Sequence, residues 1–428
     1  MFIKEIRHKI SHSFIGVHHN TKVFLLLHPL YAIPFAIFSN YEALYRQSVG
    51  LTKEQLGLLT GILMLVRGIA SLFGGFVTDR LGRKLTTTLM DTLCWSVPTL
   101  IWAFSKNFTW FLVGNLFNGV NSIVSASFNC MFVEGTVPNK RVFAYSIFST
   151  LGITAGFFTP LGGLLVNKVG MIAGGRIIYL ISFVSITAMI LIRHFLMVET
   201  DVGLTKMKET KGHSFTETLK DYLEAVRHIC SNPAAIVSLL LFGVYMIQTN
   251  MLNSVCHPLF LTDYLGYTKA QYGIFPMISS VVTIAVLMAS LHLMQGREKR
   301  GLALGMLILA VGWLVMGLLT SGNTTMVVLS TALVAAGWAF FNPGLNTVWS
   351  NALTDEMRAK SQSLKDVFAA FVTIPAGYIG AKLYALDPRA PYLLMAGLFI
   401  MGTILYVWTI RYIKRKRNVN IDQLPKAS

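Results

Sequence analysis

Residues 75–84 read Gly75-Phe-Val-Thr-Asp79-Arg80-Leu-Gly82-Arg83-Lys84. Four charges and one glycine thus follow directly on an apolar run, 54–78, that is long enough to cross a bilayer core of about 30 Å at 1.5 Å per residue. Gly75 lets two helices approach closely, and Gly82 permits a sharp turn where a side chain would clash. Asp79 at the edge of such a run needs a cationic or helix-N-terminal partner, because an unpaired carboxylate there is costly. The stretch therefore reads as a tight turn between two membrane-spanning helices, and the rest of the chain bears on that reading.

Of 428 residues, 54% are hydrophobic and only 13% charged, yet Lys and Arg outnumber Asp and Glu by 36 to 19. An ordinary soluble domain is about a quarter charged, so this net +17 does not describe a nucleic-acid binder. Further apolar stretches fall at 23–46, 86–105, 109–134, 142–166, 171–195, 234–258, 270–294, 301–320, 325–351, 360–384 and 390–412. Together with 54–78 they predict an all-α membrane protein with twelve spans. Pro29, Pro34, Pro160, Pro276, Pro343 and Pro375 sit inside spans, which membrane helices tolerate where neighbours satisfy the freed carbonyls. The basic N-terminus carries no removable leader pattern. If it lies in the cytoplasm, 27 of the 36 cations fall in inner segments, 8 in outer ones, and Arg67 in neither. Both termini are therefore expected in the cytoplasm of a plasma-membrane protein.

The chain is expected to divide into a six-helix bundle (1–194), a cytoplasmic linker (195–232), a second six-helix bundle (233–413) and a basic tail (414–428). A shift of 217 positions superposes Arg80 on Arg297, Arg83 on Arg300, Arg141 on Arg358, Ser146 on Ser363 and Gly163 on Gly380, the pattern of an internal duplication. Two such halves imply a solute site at their interface near the midplane. In the linker, Ser214 and Glu217 have capping-box spacing ahead of apolar residues at helical intervals. That helix either lies flat on the membrane or is an ordinary solvated connector. The C-terminal Arg411–Arg417 run is suited to anionic lipid headgroups.

The 75–84 stretch resembles the signature loop of the major facilitator superfamily, G-x-x-x-D-R-x-G-R-K, and a degenerate second copy stands at Gln295-Gly-Arg297-Glu-Lys-Arg300. The resemblance covers essentially the whole chain and implies the twelve-helix, six-plus-six major facilitator fold. It also implies that Gly75, Asp79, Arg80, Gly82, Arg83 and Lys84 form a gate, latched by an ion pair to the end of the fourth helix. Glu134 is the matching acid, with Arg83 its partner, and Arg141 stands at the next inner boundary. Topology enforcement by the three cations is the competing reading. Proton-coupled relatives carry R-x-x-x-G on the fourth helix, where this chain has Asn115-Leu-Phe-Asn118-Gly119. Drug antiporters carry G-x-x-x-G-P-x-x-G-G on the fifth, where this chain has Gly152-Ile-Thr-Ala-Gly156-Phe-Phe-Thr-Pro160-Leu-Gly162-Gly163. The glycine framework is kept and the proline is displaced.

Candidate substrate and proton residues are the polar groups inside spans. Arg67, about 18 Å from Asp79 along the helix, either anchors an anionic or polar solute or pairs with Glu42. Glu42, four residues before Arg46, is either a proton-coupling acid or half of a simple pair. Asn115, Asn118, Ser122, Ser125 and Asn129 form a stripe on the fourth helix, Gln248, Asn250, Asn253 and His257 lie on the seventh, and Trp338, Asn342, Asn346 and Trp349 on the tenth. They line a central cavity or tie helices together. Asp91 and Asp366 are expected to be gate or interface acids, and His8, His12, His18 and His19 a solvated tail without metal.

No nucleotide loop, catalytic constellation or cofactor motif is present, so the expected activity is not enzymatic. The expectation is a monomeric secondary active transporter in contact with membrane lipid, exporting a small organic solute against protons. Proton-coupled uptake of an anionic metabolite, lipid flipping and a non-transporting membrane sensor are the alternatives.

Overall fold

The computed structural model describes residues 14–210, 226–227, 229–293, 298–320, 323–352 and 358–422. Twelve spanning helices make up the described fold. In the first half they are α1 (His19–Ser48), α2 (Lys53–Leu81), α3 (Arg83–Asp91, Thr92–Ser96 and Val97–Phe104), α4 (Phe108–Gly119 and Asn121–Val133), α5 (Pro138–Thr154, Ala155–Phe158 and Thr159–Val169) and α6 (Met171–Leu196). The second half contains α7 (Pro233–Gln248, Thr249–Cys256, His257–Leu259 and Phe260–Tyr264), α8 (Lys269–Tyr272 and Ile274–Leu293), α9 (Glu298–Gly317), α10 (Thr324–Asn351), α11 (Arg358–Leu386) and α12 (Ala390–Asp422). Eleven of these are individually long and apolar enough to span. The other, α3, is broken by a wide π turn at Thr92–Ser96, although its 22 residues still reach about 33 Å. Large apolar side chains such as Leu26 (73% exposed) and Phe195 (80%) point outward, as they do where the surrounding solvent is lipid.

The helices overrun the apolar stretches that announce them. α1 begins at His19, because the His18 ring accepts from the Asn20 amide and caps the helix, and the His19 ring bonds the Leu196 carbonyl at 2.9 Å. These two histidines are thus structural rather than tail residues; His8 and His12 lie outside the described residues. α12 continues through the basic run to Asp422, since Lys and Arg are good helix formers. The linker helix expected after Ser214 falls outside the described residues. A shorter one, Asp201–Glu209, precedes it, capped by Thr200 Oγ1 accepting from the Gly203 amide at 2.9 Å.

Without a hydrophobic drive between helices in lipid, close approach depends on small residues. Gly57, Gly61 and Gly68 of α2 meet Gly377, Ile374 and Ala370 of α11; a Cβ on Gly61 would stand 2.7 Å from the Ile374 carbonyl oxygen. On the other flank, Gly156 and Gly163 of α5 abut Ser280 and Ala270 of α8. These two seams, α2 to α11 and α5 to α8, join the halves. At the end far from the 75–84 turn they are reinforced by polar ties. Gln47 Nε2 donates to Asp263 Oδ2 (2.9 Å), and the Tyr41 hydroxyl to the Lys269 carbonyl (3.2 Å).

Candidate functional site

Between the seams lies a cavity of about 530 Å³, inside the range of about 300–1,000 Å³ typical of small-molecule pockets. α1 contributes His28, Tyr31, Ala32, Phe35, Ser39 and Asn40. Their spacing of three, four and seven residues puts them on one face, and it spans about 18 Å of helix rise. Pro29 and Pro34 interrupt the ladder of the same segment. Tyr272, Pro276, Ser280 and Thr283 repeat the pattern on α8, and Ser330, Thr331, Val334 and Trp338 on α10. Gly152 and Gly156 of α5, Gln248 and His257 of α7 and Trp313 of α9 complete the wall. The Tyr41 and Tyr272 rings, 5.7 Å apart and edge to face, close the far end, where the Tyr272 hydroxyl meets Asn40 Oδ1 at 3.5 Å. No Asp, Glu, Lys or Arg is among the described residues that line the cavity.

Several polar groups of the wall are used internally. Asn40 Nδ2 donates to the Ala36 carbonyl, and the hydroxyls of Ser280, Ser330 and Thr331 donate to Pro276, Gly312 and Val327 carbonyls, all at 2.7–3.0 Å. Trp338 Nε1 donates to the Tyr245 hydroxyl (3.3 Å), and His257 Nδ1 bonds the Tyr392 hydroxyl at the same distance. Two atoms differ. Gln248 Oε1 and Trp313 Nε1 are buried and have no protein partner, on residues only 3% and 2% exposed. A buried polar atom left unmatched costs about 1–3 kcal/mol. Both stand at irregular or crowded places: Gln248 immediately precedes the π turn Thr249–Cys256, and Trp313 packs edge-on to His257.

The sequence-nominated residues divide sharply by position: Gln248, His257 and Trp338 line the cavity, and the others among the described residues lie away from it. Arg46 binds Glu42 at 2.5 Å, donates to Asn115 Oδ1 at 3.0 Å and lies over the Trp102 and Phe111 rings. Asn115 Nδ2 in turn donates to the Leu59 carbonyl. Arg67 Nη2 donates to Asn118 Oδ1 (2.8 Å), while Asn118 Nδ2 donates to the Cys94 carbonyl (2.7 Å) inside the α3 π turn. These amides thereby pin α1, α2 and α3 to α4. Asp91 of α3 pairs with Arg193 of α6, both buried. In the second half Asn250 Nδ2 donates to the Met246 carbonyl, and Asn346 Nδ2 to Asn342 Oδ1 (3.2 Å) at a half-exposed site. The side chains of Asn253 and Asp366 lie outside the described residues. His28, Tyr31, Tyr272 and Trp313 went unnominated because apolar-face residues in a greasy helix look like core; a histidine next to Pro29 in an otherwise apolar span was the available signal.

At the 75–84 turn, Gly82 adopts φ +86°, the left-handed region its lack of a side chain allows. Arg83 reaches both Asp79 Oδ1 (2.8 Å) and Glu134 Oε1 (3.3 Å). Arg80 lies over the Phe76 ring, and Arg141 Nε donates to the Thr136 carbonyl. The linker adds what the motif alone does not show. The Thr200 hydroxyl bonds Glu134, Glu199 Oε2 accepts from the Lys84 amide (2.9 Å), and the Thr210 hydroxyl reaches the Asp79 carbonyl (3.1 Å). The Thr200-Asp201 pair is a helix-start signal, but its docking on the turn is a tertiary fact. Along the linker helix, Glu209 beside Lys206 raises the pKa of that exposed ammonium.

Twelve spanning helices in two seamed halves, with a closed-ended cavity between them, define a multi-pass membrane transporter of small solutes. The sequence profile of the Major Facilitator Superfamily matches residues 24–297 and 244–427, and the chain belongs to that superfamily. The chain is 23% identical over 394 residues to the multidrug resistance protein MdtG of Salmonella heidelberg, covering 90% of this chain and 92% of the relative. Among solved structures, a D-xylose-proton symporter superposes with a TM-score of 0.70 at 13% identity, over 90% of this chain and 96% of its own. A bacterial homologue of the human lysosomal transporter Spinster also reaches 0.70, at 16% identity over 92% and 96%. These relatives and neighbours are transporters, and so is this chain rather than an enzyme.

Proposed function

We propose that the protein exports a small organic solute across the plasma membrane by alternating access, driven by a proton gradient. The uncharged, aromatic-walled cavity carries the reading: it suits an amphiphilic or neutral body and offers an anion no countercharge. The multidrug-resistance name of the MdtG relative agrees with it. Uptake of an anionic metabolite needs an anchor such as Arg67, which bonds Asn118 away from the described cavity wall.

The excess of cations at the 75–84 end assigns that end and both termini to the cytoplasm. The Gln47, Tyr41 and Tyr272 ties then close the periplasmic or outer end, and Arg83 with Asp79 and Glu134 forms the latch of the inner gate. Glu42 is the carboxylate we assign to proton exchange, its charge balanced by Arg46. We treat the transport unit as a monomer whose Leu26 and Phe195 flanks meet lipid.

Proteoliposomes loaded with a neutral fluorescent amphiphile such as Nile red and given an imposed pH gradient test this. Flux that follows the gradient is expected, and the absence of flux under gradients of either sign overturns export. Undiminished coupled flux in Glu42→Gln removes Glu42 as the proton carrier.

A further inference from the structure

No Asp, Glu, Lys or Arg is among the described residues lining the cavity, the hydroxyls of Ser280, Ser330 and Thr331 donate to backbone carbonyls, and two of the wall residues carry a buried atom without a protein partner. One is an acceptor, the Gln248 side-chain carbonyl on α7; the other is a donor, the Trp313 indole N–H on α9. From this we infer that the cavity binds an uncharged, planar aromatic solute carrying both a hydrogen-bond donor, for Gln248, and an acceptor, for Trp313. The inference rests on reading this cavity as the solute path.

Three features of the wall argue for that class together. Burying an ion here would strip its water without supplying a partner charge, so a neutral solute is favoured over a cation or anion. Aromatic side chains from both halves, Tyr31, Phe35, Phe275 and Trp338, offer faces and edges to a flat ring system. A site with built-in unmatched polar atoms discriminates more strongly by the presence of the complementary group than by size, because an analogue lacking it leaves the atom unpaired. Gln248 and Trp313 both belong to the second half, so the donor and acceptor of the solute would be read by one half while the α1 rings cover it from the other.

Acridone, xanthone and 9,10-dihydroacridine separate the terms. Acridone has a ring N–H and a carbonyl, xanthone replaces the N–H by an oxygen of similar size, and 9,10-dihydroacridine keeps the N–H and lacks the carbonyl. Equilibrium dialysis against the purified full chain in detergent is expected to give acridone about tenfold tighter binding than either analogue. Gln248→Leu should abolish the preference over xanthone and keep that over dihydroacridine; Trp313→Phe should do the reverse. Equal affinities for the three in the unaltered protein, preferences that survive the matching substitution, or no saturable binding of acridone overturn the inference. The wild-type series decides the matter even where a variant fails to fold. A protein that shows these preferences but moves no solute in vesicles defeats the transport reading and leaves the site standing. One that moves Nile red and treats the three probes alike defeats the site and leaves transport standing.

Discussion

The interior of the first half and the wall of the cavity are both buried in membrane, yet they solve opposite problems. The first half holds Glu42 with Arg46 on one helix, and Arg67 with Asn118 and Asp91 with Arg193 across helices. The cavity wall, a few ångströms of side chain away along α1 and α7, shows no such charge among its described residues, and its unmatched atoms are neutral. A charge inside a bilayer must be neutralised for the chain to insert and pack, so it is consumed as a strut. An unmatched amide or indole costs far less to keep, so it can be held open for a ligand. In this fold the Asp91–Arg193 and Arg67–Asn118 pairs tie helices together, whereas Gln248 and Trp313 are set apart from orphans such as Tyr179 and Tyr406 by lining the cavity.

The largest test of that division is Asp91→Ala. It leaves the buried Arg193 guanidinium without its carboxylate, and about 3–5 kcal/mol of stability should go, read as a marked fall in the thermal unfolding midpoint in detergent. Replacing both partners, Asp91→Leu with Arg193→Met, should recover most of that loss; a double variant as unstable as the single would show that the pair does more than neutralise itself. Next in size is Asn118→Leu, which takes a partner from Arg67 and a donor from the Cys94 carbonyl of the π turn. A loss of about 1–3 kcal/mol is expected, with acridone affinity unchanged because Asn118 does not line the cavity. Weakened binding at intact stability would erase the distinction between strut and wall.

The sequence made the architecture legible because period, length and charge asymmetry act locally: each apolar run and its flanking cations report one helix whatever surrounds it. The 75–84 turn was legible for the same reason, down to Arg83 and Glu134 meeting, since Asp79 and Arg83 are four apart and a carboxylate at the matching helix end is rare. Cavity and strut were not separable in this way. Asn115, Asn118 and Gln248 are the same kind of residue at the same kind of position, and only the tertiary neighbours show that the two asparagines are fully bonded while the glutamine keeps a bare acceptor. The Thr200 and Glu199 contacts were hidden likewise, because a linker's docking depends on where the chain returns, not on its own pattern.

Smaller effects belong to the ends of the molecule. Glu134→Gln keeps the shape and removes one of the two carboxylates on Arg83, while Asp79 remains. A cost of about 1–2 kcal/mol at this partly exposed site is expected to show as altered flux rather than unfolding, read by comparing transport rate with melting point in the same preparation. A variant that unfolds like Asp91→Ala would place the turn among the structural struts.

The smallest effect is expected at Asp387, between α11 and α12, whose carboxylate accepts from the Arg389 side chain (3.0 and 3.2 Å) and backbone amide (2.9 Å). Those bonds, the side-chain one foremost, hold its pKa below the usual carboxylate value. A depressed folded-state pKa means that the pair stabilises above the unfolded value of about 3.9 and that this contribution disappears as pH falls through the lower folded value. The sign is thus a loss on acidification, confined to pH below about 4. Both partners stand in solvent, where screening and side-chain entropy cancel nearly all of it. Asp387→Asn should leave the unfolding midpoint at neutral pH where it was. The same chemical pair, carboxylate and guanidinium, is then silent in water and decisive between α3 and α6. A measurable loss at Asp387 comparable to that at Asp91 would mean that pairing itself, rather than the absence of water around it, sets the worth of these ions.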